Sequence, residues 1–285
     1  MMNGCTPNAK AHNTTEGGRI KVSLLSDRLS IVDRLRVSSG LARAGDQFSY
    51  AQGAFIPAEP WHTLTPEWRS RLSLDQPPRG VISEVLIVAI PTPVVATLHA
   101  LGQREDEGHR ATPQEMKPVL NSLLTVLRRD ITFLEPLHWL GFRSTHDTAP
   151  TATWDAARNQ RPGLHIDSWD KVTVPQRQNA TNRICLNLGP QIRSFLFLDI
   201  AVTQMPDLCA HAAAAAHTDA NVDLIADSFL SEHPGWPVVR VDVAPGEAYI
   251  APTELLIHDG LTADALSPNR TFALRGHFRA RIRSD

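Results

Sequence analysis

Residues 193–200 read Arg-Ser-Phe-Leu-Phe-Leu-Asp-Ile. Phe195, Leu196, Phe197 and Leu198 are apolar at every position, so a strand here is buried on both faces. Short strand patterns flank it on either side. Upstream, 164–168 and 183–187 read as strands. Downstream, Val239, Val241 and Val243 alternate with Arg240 and Asp242, the period of a half-exposed strand. Pro245-Gly246 is a turn signal, and 247–250, 254–258 and 271–278 complete the series. Many short strands divided by Gly and Pro turns predict a sandwich or jelly roll. The segment 151–285 is therefore expected to be a β core. A helical insertion at 206–234 interrupts it, where the alanine run 212–216 precedes Val222, Ile225 and Phe229 at helical spacing. This insertion reads as a surface excursion or as a lid.

The segment 19–150 reads as a mostly helical front. A strand is expected at 83–89, and a helix opens at Pro93, since proline suits a first helical turn. Thr112-Pro113-Gln114-Glu115 combines a capping box with proline at the first position. Met116, Val119, Leu120, Leu123, Leu124 and Leu127 then recur at helical spacing, a core-packing stripe. Residues 1–18 are polar and read as a disordered tail, which leaves 19–285 as a single domain.

Composition narrows the function. A chain of 285 residues, 42% hydrophobic and 20% charged, can bury a full core. A formal charge of −2 without a long basic run argues against a nucleic-acid partner. Three cysteines without CxxC spacing suggest neither a disulfide scaffold nor a cysteine-zinc site, and they suit a reducing cytoplasm. The most apolar stretch, 85–100, is broken by Pro91 and Pro93, and the N-terminus lacks the apolar region of a signal peptide. No membrane partner is expected. GxGxxG with a following acidic residue, GxxxxGK[ST] and GxSxG are all missing, so nucleotide-binding and serine-hydrolase readings lack their signals.

The chemistry lies in the β half. His165-Ile166-Asp167 falls in an expected strand, where residues i and i+2 point the same way. His165 and Asp167 can then reach one metal ion, with His258 as third ligand. Two imidazoles and a carboxylate form the facial triad of non-haem Fe(II), with positions left open for a cosubstrate and O2. The doublet alone is a short motif: with 12 His and 30 acidic residues, about one chance match is expected. A second match, His217-Thr218-Asp219, lies beside the alanine run, where helical geometry would not point the two side chains together. Arg270 stands twelve residues beyond His258, at the start of the last strand, where a guanidinium can clamp a carboxylate. Arg275 has the opposite strand parity, so only one of the two points inward. Arg193 is a third carboxylate candidate. Trp169, Asp170, Asn187, Arg193 and Arg275 are candidate substrate contacts. His62, His138 and His146 fall outside the strand series and read as core or surface histidines.

The order His165-x-Asp167, His258, Arg270, spread through a strand-rich half behind a helical one, resembles the Fe(II)/2-oxoglutarate-dependent oxygenases. The nearest branches are the phytanoyl-CoA hydroxylase-like and small-molecule hydroxylase ones. The stretch IHDGLTADALSPNRTFALRGHF, 257–278, looks like their distal-histidine and arginine segment. The resemblance covers 80–280, with its specific part a handful of positions. It implies a double-stranded β-helix, the cupin-like jelly roll, with a helix corresponding to 112–129 packed outside. It also implies Fe(II) held by His165, Asp167 and His258, with 2-oxoglutarate as cosubstrate and Arg270 on its distal carboxylate. Thr271 or Tyr249 is the candidate for a hydroxyl beside that arginine. The implied reaction couples decarboxylation of 2-oxoglutarate by O2 to hydroxylation of an unactivated C–H bond. The expected substrate is a small molecule, such as an amino acid or a natural-product biosynthetic intermediate. Two alternatives stay open: a cupin-type metalloenzyme that does not use 2-oxoglutarate, and a non-catalytic β-sandwich binding module.

Overall fold

The computed structural model describes residues 20–25, 31–74, 77–145, 148–209, 222–262 and 268–282. In chain order, the first strands are β1 (Lys21–Leu24), β2 (Leu35–Val37), β3 (Gly40–Arg43), β4 (Phe55–Ala58) and β5 (His62–Thr63). Helix α1 (Pro66–Arg71), β6 (Glu84–Ala89), α2 (Thr92–Asp106), α3 (Pro113–Leu127) and β7 (Ile131–Thr145) follow. The remainder comprises β8 (Asn182–Asn187), β9 (Arg193–Ala201), α4 (Val222–Glu232), β10 (Val239–Val243), β11 (Glu247–Ala251), β12 (Leu256–Leu261) and β13 (Asn269–Ala280).

One sheet has the order β1-β6-β11-β8-β13-β7 and the other β12-β9-β10-β2-β5, while β3 and β4 pair separately. From β7 onward the chain winds between the two sheets. Strands β7, β8, β11 and β13 enter the first, and β9, β10 and β12 enter the second. A single bridge at His165 supplies the missing edge of the second sheet, against His258. This winding is a double-stranded β-helix, as expected, and the fold is mainly β with flanking helices.

Alternation along the strands sorts side chains into two cores. On β8, Cys185 faces the space between the sheets, while Ile184 and Leu186 face outward. Outside, those two pack with Phe272 and Leu274 of β13 against Leu98 and Leu101 of α2 and Met116, Val119 and Leu123 of α3. Strand β9 is buried along its whole length, as its unbroken apolar run requires.

Several boundaries differ from the sequence reading. The front is not mostly helical, since seven strands lie between 20 and 145. The 15-residue β7 was the hardest to read. Its Pro136 and Gly141 interrupt the alternation, and its ladder with β13 slips twice. Proline is tolerated there because β7 is an edge strand. His138 therefore sits in the strand series after all, opposite Arg275. Residues 164–168 form no strand beyond the His165 bridge, and β12 starts later than expected, so His258 lies within it. The described part of the insertion is a 3-10 turn (Val202–Asp207) and α4, whose Val222, Ile225 and Phe229 join the core cluster. The alanine run lies outside the described residues, as do residues 1–18. No helix among the described residues is long and apolar enough to cross a membrane.

Helix α3 begins where the capping box places it. The Thr112 hydroxyl accepts from the Glu115 amide at 3.3 Å, and the Thr112 amide donates to Glu115 at 2.9 Å. The Thr112 amide, first, and then Arg104 hold the exposed Glu115 carboxyl down at about 2. A depressed carboxyl stabilises the fold above its unfolded value and loses that contribution as pH falls, here between about 4.5 and about 2. Thr112→Ala is expected to lower stability by about 1 kcal/mol in urea unfolding. For Glu115→Gln, the deficit against the parent should shrink as pH falls through that window; a constant deficit would show that the carboxylate charge contributes nothing.

Candidate metal centre

Two backbone hydrogen bonds join the histidines. The His165 amide donates to the His258 carbonyl at 3.1 Å, and the His258 amide donates back at 2.8 Å. The Asp167 amide donates to the Thr253 carbonyl at 3.0 Å, which continues the extended segment by one step. His165 and Asp167 consequently share a side while Ile166 is buried in the core, as the i, i+2 rule expects. On the partner strand, the β12–β9 register slips between Leu256 and His258, an irregularity of the kind that re-aims side chains.

His165, Asp167 and His258 each offer one ligand atom, and the three atoms lie within 4.8 Å of one another. The His165 Nε2 is 3.9 Å and the His258 Nε2 3.7 Å from an Asp167 carboxylate oxygen. Bonds of roughly 2.1 Å put neighbouring ligand atoms roughly 3 Å apart, so the set draws in by under 2 Å to hold an ion. The hydrogen bonds suit a metal. His165 Nδ1 lies 2.8 Å from the Gly163 carbonyl and His258 Nδ1 lies 3.0 Å from the Leu256 carbonyl. Each Nδ1 must therefore donate, which leaves the Nε2 lone pair for the ion. His258 Nε2 is buried and has no hydrogen-bond partner among the described residues, as suits an atom that could ligate a metal.

Electrostatics set the protonation states. Burial pushes His258 down to about 4 against the pull of Asp167, so it is neutral at ordinary pH. Burial alone would raise Asp167, but Arg183 and then the two imidazoles bring it to about 2. His165 is opposed by burial yet raised on balance by the Asp259 carboxylate, whose Oδ2 lies 3.4 Å from its Nδ1.

A buried clamp substitutes for the missing strand ladder. Arg177 donates to the carbonyls of Asp167 (2.8 Å) and Glu254 (2.7 Å) and to the Ser168 hydroxyl (2.8 Å). Glu254 in turn accepts from the amides of Trp169 (2.5 Å) and Asp170 (3.0 Å). Neither residue was singled out from sequence; an Arg and a Glu 77 positions apart leave no local signal. Arg183, also missed, places Nη2 2.6 Å from Asp167.

The three arginine candidates separate cleanly. Arg270 shares its strand parity with Phe272 and Leu274, so it lies on the outer, helix-facing side of the sheet. It pairs there with Asp106 of α2, and its stem packs so close to Gly102 that a Cβ there would sit 2.7 Å from it. The expectation that Arg270 faces the metal is thus corrected: the parity of the strand turns it away. Arg275 points inward beside Arg183 and is paired with Asp170 at 2.8 Å, below the half-exposed face of Trp169. Arg193 is buried inside, with the parity of Phe195 and Phe197. It takes part in none of the ion pairs found among the described residues, and its Nε is buried without a hydrogen-bond partner. Gly260, two residues past His258 on the same face of β12, makes its room: a Cβ there would lie 2.7 Å from Arg193 Nη2.

Other candidates fall away or gain company. The Asn187 amide is consumed by the carbonyls of Gln191 and Val243 and the amide of Gly189, a structural role in place of the expected substrate contact. Near it, the Asn269 side chain is buried with both polar atoms unpartnered, at the end of the barrel where Val243 pairs with Arg193. Tyr249 stacks on Phe195 at 4.2 Å, and Phe195 lies 5.8 Å from the His258 ring. His62 is exposed. His146, His217 and Asp219 lie outside the described residues.

No protein-family model matches the chain, and no curated protein does. Among solved structures, it is similar to the iron and alpha-ketoglutarate-dependent endoperoxidase NvfI "with different conformation", at 9% identity and TM-score 0.40, over 88% of this chain and 99% of that one. A second NvfI structure gives 8% and 0.36, over 87% and 98%. HygX from Streptomyces hygroscopicus, with nickel and 2-oxoglutarate bound, gives 15% and 0.33, over 76% and 87%. Likeness this distant says nothing further about this chain.

Removing Arg177 would strand the Glu254 carboxylate in the interior. Arg177→Met is expected to cost about 3–5 kcal/mol in urea unfolding. A loss below about 1 kcal/mol, the scale of an exposed pair, would show that the clamp does not hold the 165–170 segment.

Proposed function

We propose that the protein is an Fe(II)- and 2-oxoglutarate-dependent oxygenase that hydroxylates an unactivated C–H bond of a small molecule, an amino acid or a natural-product intermediate. One observation carries the reading. Three candidate ligand atoms converge at one end of the β-roll, and a buried arginine without a charged partner among the described residues stands two residues further along the same wall.

His165, Asp167 and His258 would hold the iron from one side. When bound, iron with 2-oxoglutarate and O2 supplies the oxidising equivalent, as the oxo acid is converted to succinate and CO2 while one oxygen atom passes to the substrate. The protein's own part is positional. From His258 to Gly260 the strand advances roughly 7 Å, which suits a short diacid lying with one end at the ligands and the other at Arg193. Arg193 would clamp the distal carboxylate, with Asn269 and Tyr249 as neutral donors at that end. Of the three candidate arginines, Arg193 is the choice because it points inward and makes no ion pair among the described residues. Phe195 and Tyr249 keep water from the ligand set. At the opposite end Arg183, the Arg275–Asp170 pair and Trp169 line the approach, and these are the proposed substrate contacts. The buried Cys185 thiol accords with a reducing, cytoplasmic location. A cupin-type metalloenzyme without 2-oxoglutarate would leave the Arg193 charge unused.

The test is succinate release with Fe(II) and 2-oxoglutarate against a panel of amino acids and related metabolites. Substrate-dependent succinate is expected, and Asp167→Ala or His258→Ala should abolish it. Arg193→Met should raise the KM for 2-oxoglutarate by roughly 100-fold, while Arg270→Met leaves it unchanged. The reverse pattern would return the clamp to Arg270. Absence of Fe(II) uptake under anaerobic conditions would sink the oxygenase and favour the binding module.

A further inference from the structure

Asp259 follows a proposed metal ligand in sequence, yet points to the other one. On a strand, neighbours face opposite sides, so Asp259 leaves the face that carries His258. Its carboxylate is fully buried. Oδ1 is saturated: it accepts from the amides of Ala152 (3.1 Å), Thr153 (3.0 Å) and Gly260 (2.6 Å) and from the Thr153 hydroxyl (2.9 Å). Oδ2 takes none of these donors, although it is equally buried. It faces His165 Nδ1 at 3.4 Å. The other acceptor for that nitrogen is the carbonyl of Gly163, a residue held at φ +76°, where a Cβ would strike the Phe55 carbonyl. Among the described residues His258 has no such carboxylate behind it; its Nδ1 meets the carbonyl of Leu256.

We propose that Asp259 is a positioning residue: its Oδ2 joins the Gly163 carbonyl in fixing the ring and tautomer of His165, so that Nδ1 carries the proton and Nε2 faces the metal. A carboxylate behind a ligating imidazole also makes it the more basic donor of the two. The inference rests on the metal-centre reading and deepens it, because it makes the two histidines unequal ligands. His165 is backed by a charge, while His258 is backed by a neutral carbonyl.

Asp259→Asn is the informative variant. The amide oxygen can keep the four donors on Oδ1, while the NH2 group turns a donor toward Nδ1. Co(II) affinity and the visible spectrum of the Co(II) protein read the consequence without turnover. A 10- to 100-fold loss of affinity with an altered spectrum is expected, whereas Arg270→Met, on the outer face of the sheet and away from Asp259, should leave both unchanged. Equal affinity for Asp259→Asn and parent, or an equal loss in Arg270→Met, overturns the proposal. Nitrogen-15 NMR of the metal-free parent, above the titration of His165, gives a second reading that needs no variant to fold. His165 should be the Nδ1–H tautomer with a slowly exchanging proton, and an Nε2–H tautomer would refute the role. Failure of the parent to bind Co(II) at all would instead count against the metal-centre reading, while an Nε2–H tautomer would still refute the role of Asp259.

Discussion

Everything at the centre depends on one reciprocal pair of backbone hydrogen bonds, between His165 and His258. They join positions 93 residues apart and close the second sheet at its edge. A single bridge is a weak closure, since it lacks the repeated ladder that stabilises a strand pair. The fold compensates with side chains. Arg177 and Glu254 take over the carbonyls and amides of 167–170 that a ladder would have satisfied. This arrangement frees the segment from strict pleating while holding it in place, as a ligand-bearing edge requires. It also makes the centre an all-or-none object: the ligands come together only once β8, β12 and the 165–177 segment are docked.

How much of this was legible follows from range. Local patterns were read correctly because their cause is local. The box Thr112-to-Glu115 satisfies its own amides, and the unbroken run in β9 states its own burial. The His165-x-Asp167 doublet was legible for the same reason, since the i, i+2 rule survives even where no strand forms. The failures have a different origin. Strand β7 draws its stability from pairing with β13, so Pro136 and Gly141 hid it. Arg177 acts on a partner 77 positions away, and no periodicity marks such a pair.

The misplacement of Arg270 is the more instructive failure. Its spacing from His258 suggested proximity, and the parity argument correctly held that Arg270 and Arg275 could not both face inward. Spacing cannot say which. The deciding information lay in neighbours of plain appearance: Phe272 and Leu274 are the residues that two helices cover, so Arg270 goes with them. Two glycines carry the same message in reverse. Gly102 makes room for the Arg270 stem on the outside, and Gly260 makes room for Arg193 inside. A glycine two residues past a ligand histidine was thus a readable sign of an inward cation on the facing strand.

The interior charges argue that this cation is meant for a dianion. Asp170 with Arg275, and Glu254 with Arg177, cancel in place. Asp167 and Asp259 are both held below the usual carboxylate range against the opposition of burial, Asp167 by Arg183 and the imidazoles, Asp259 by His165, the Gly260 amide and Thr153. Counted with Arg183 and Arg193, and with both imidazoles neutral, the set sums to zero. A divalent ion, binding to neutral imidazoles, would leave two uncompensated positive charges in a volume where isolated charge is costly. One of them is focused at Arg193, which has no carboxylate of its own among the described residues. A ligand with two negative charges, one beside the metal and one at Arg193, restores neutrality at both places. A neutral or singly charged ligand leaves one of them exposed. The same count disfavours a metal held for structure alone, since such a site would gain nothing from burying a guanidinium two residues down the wall.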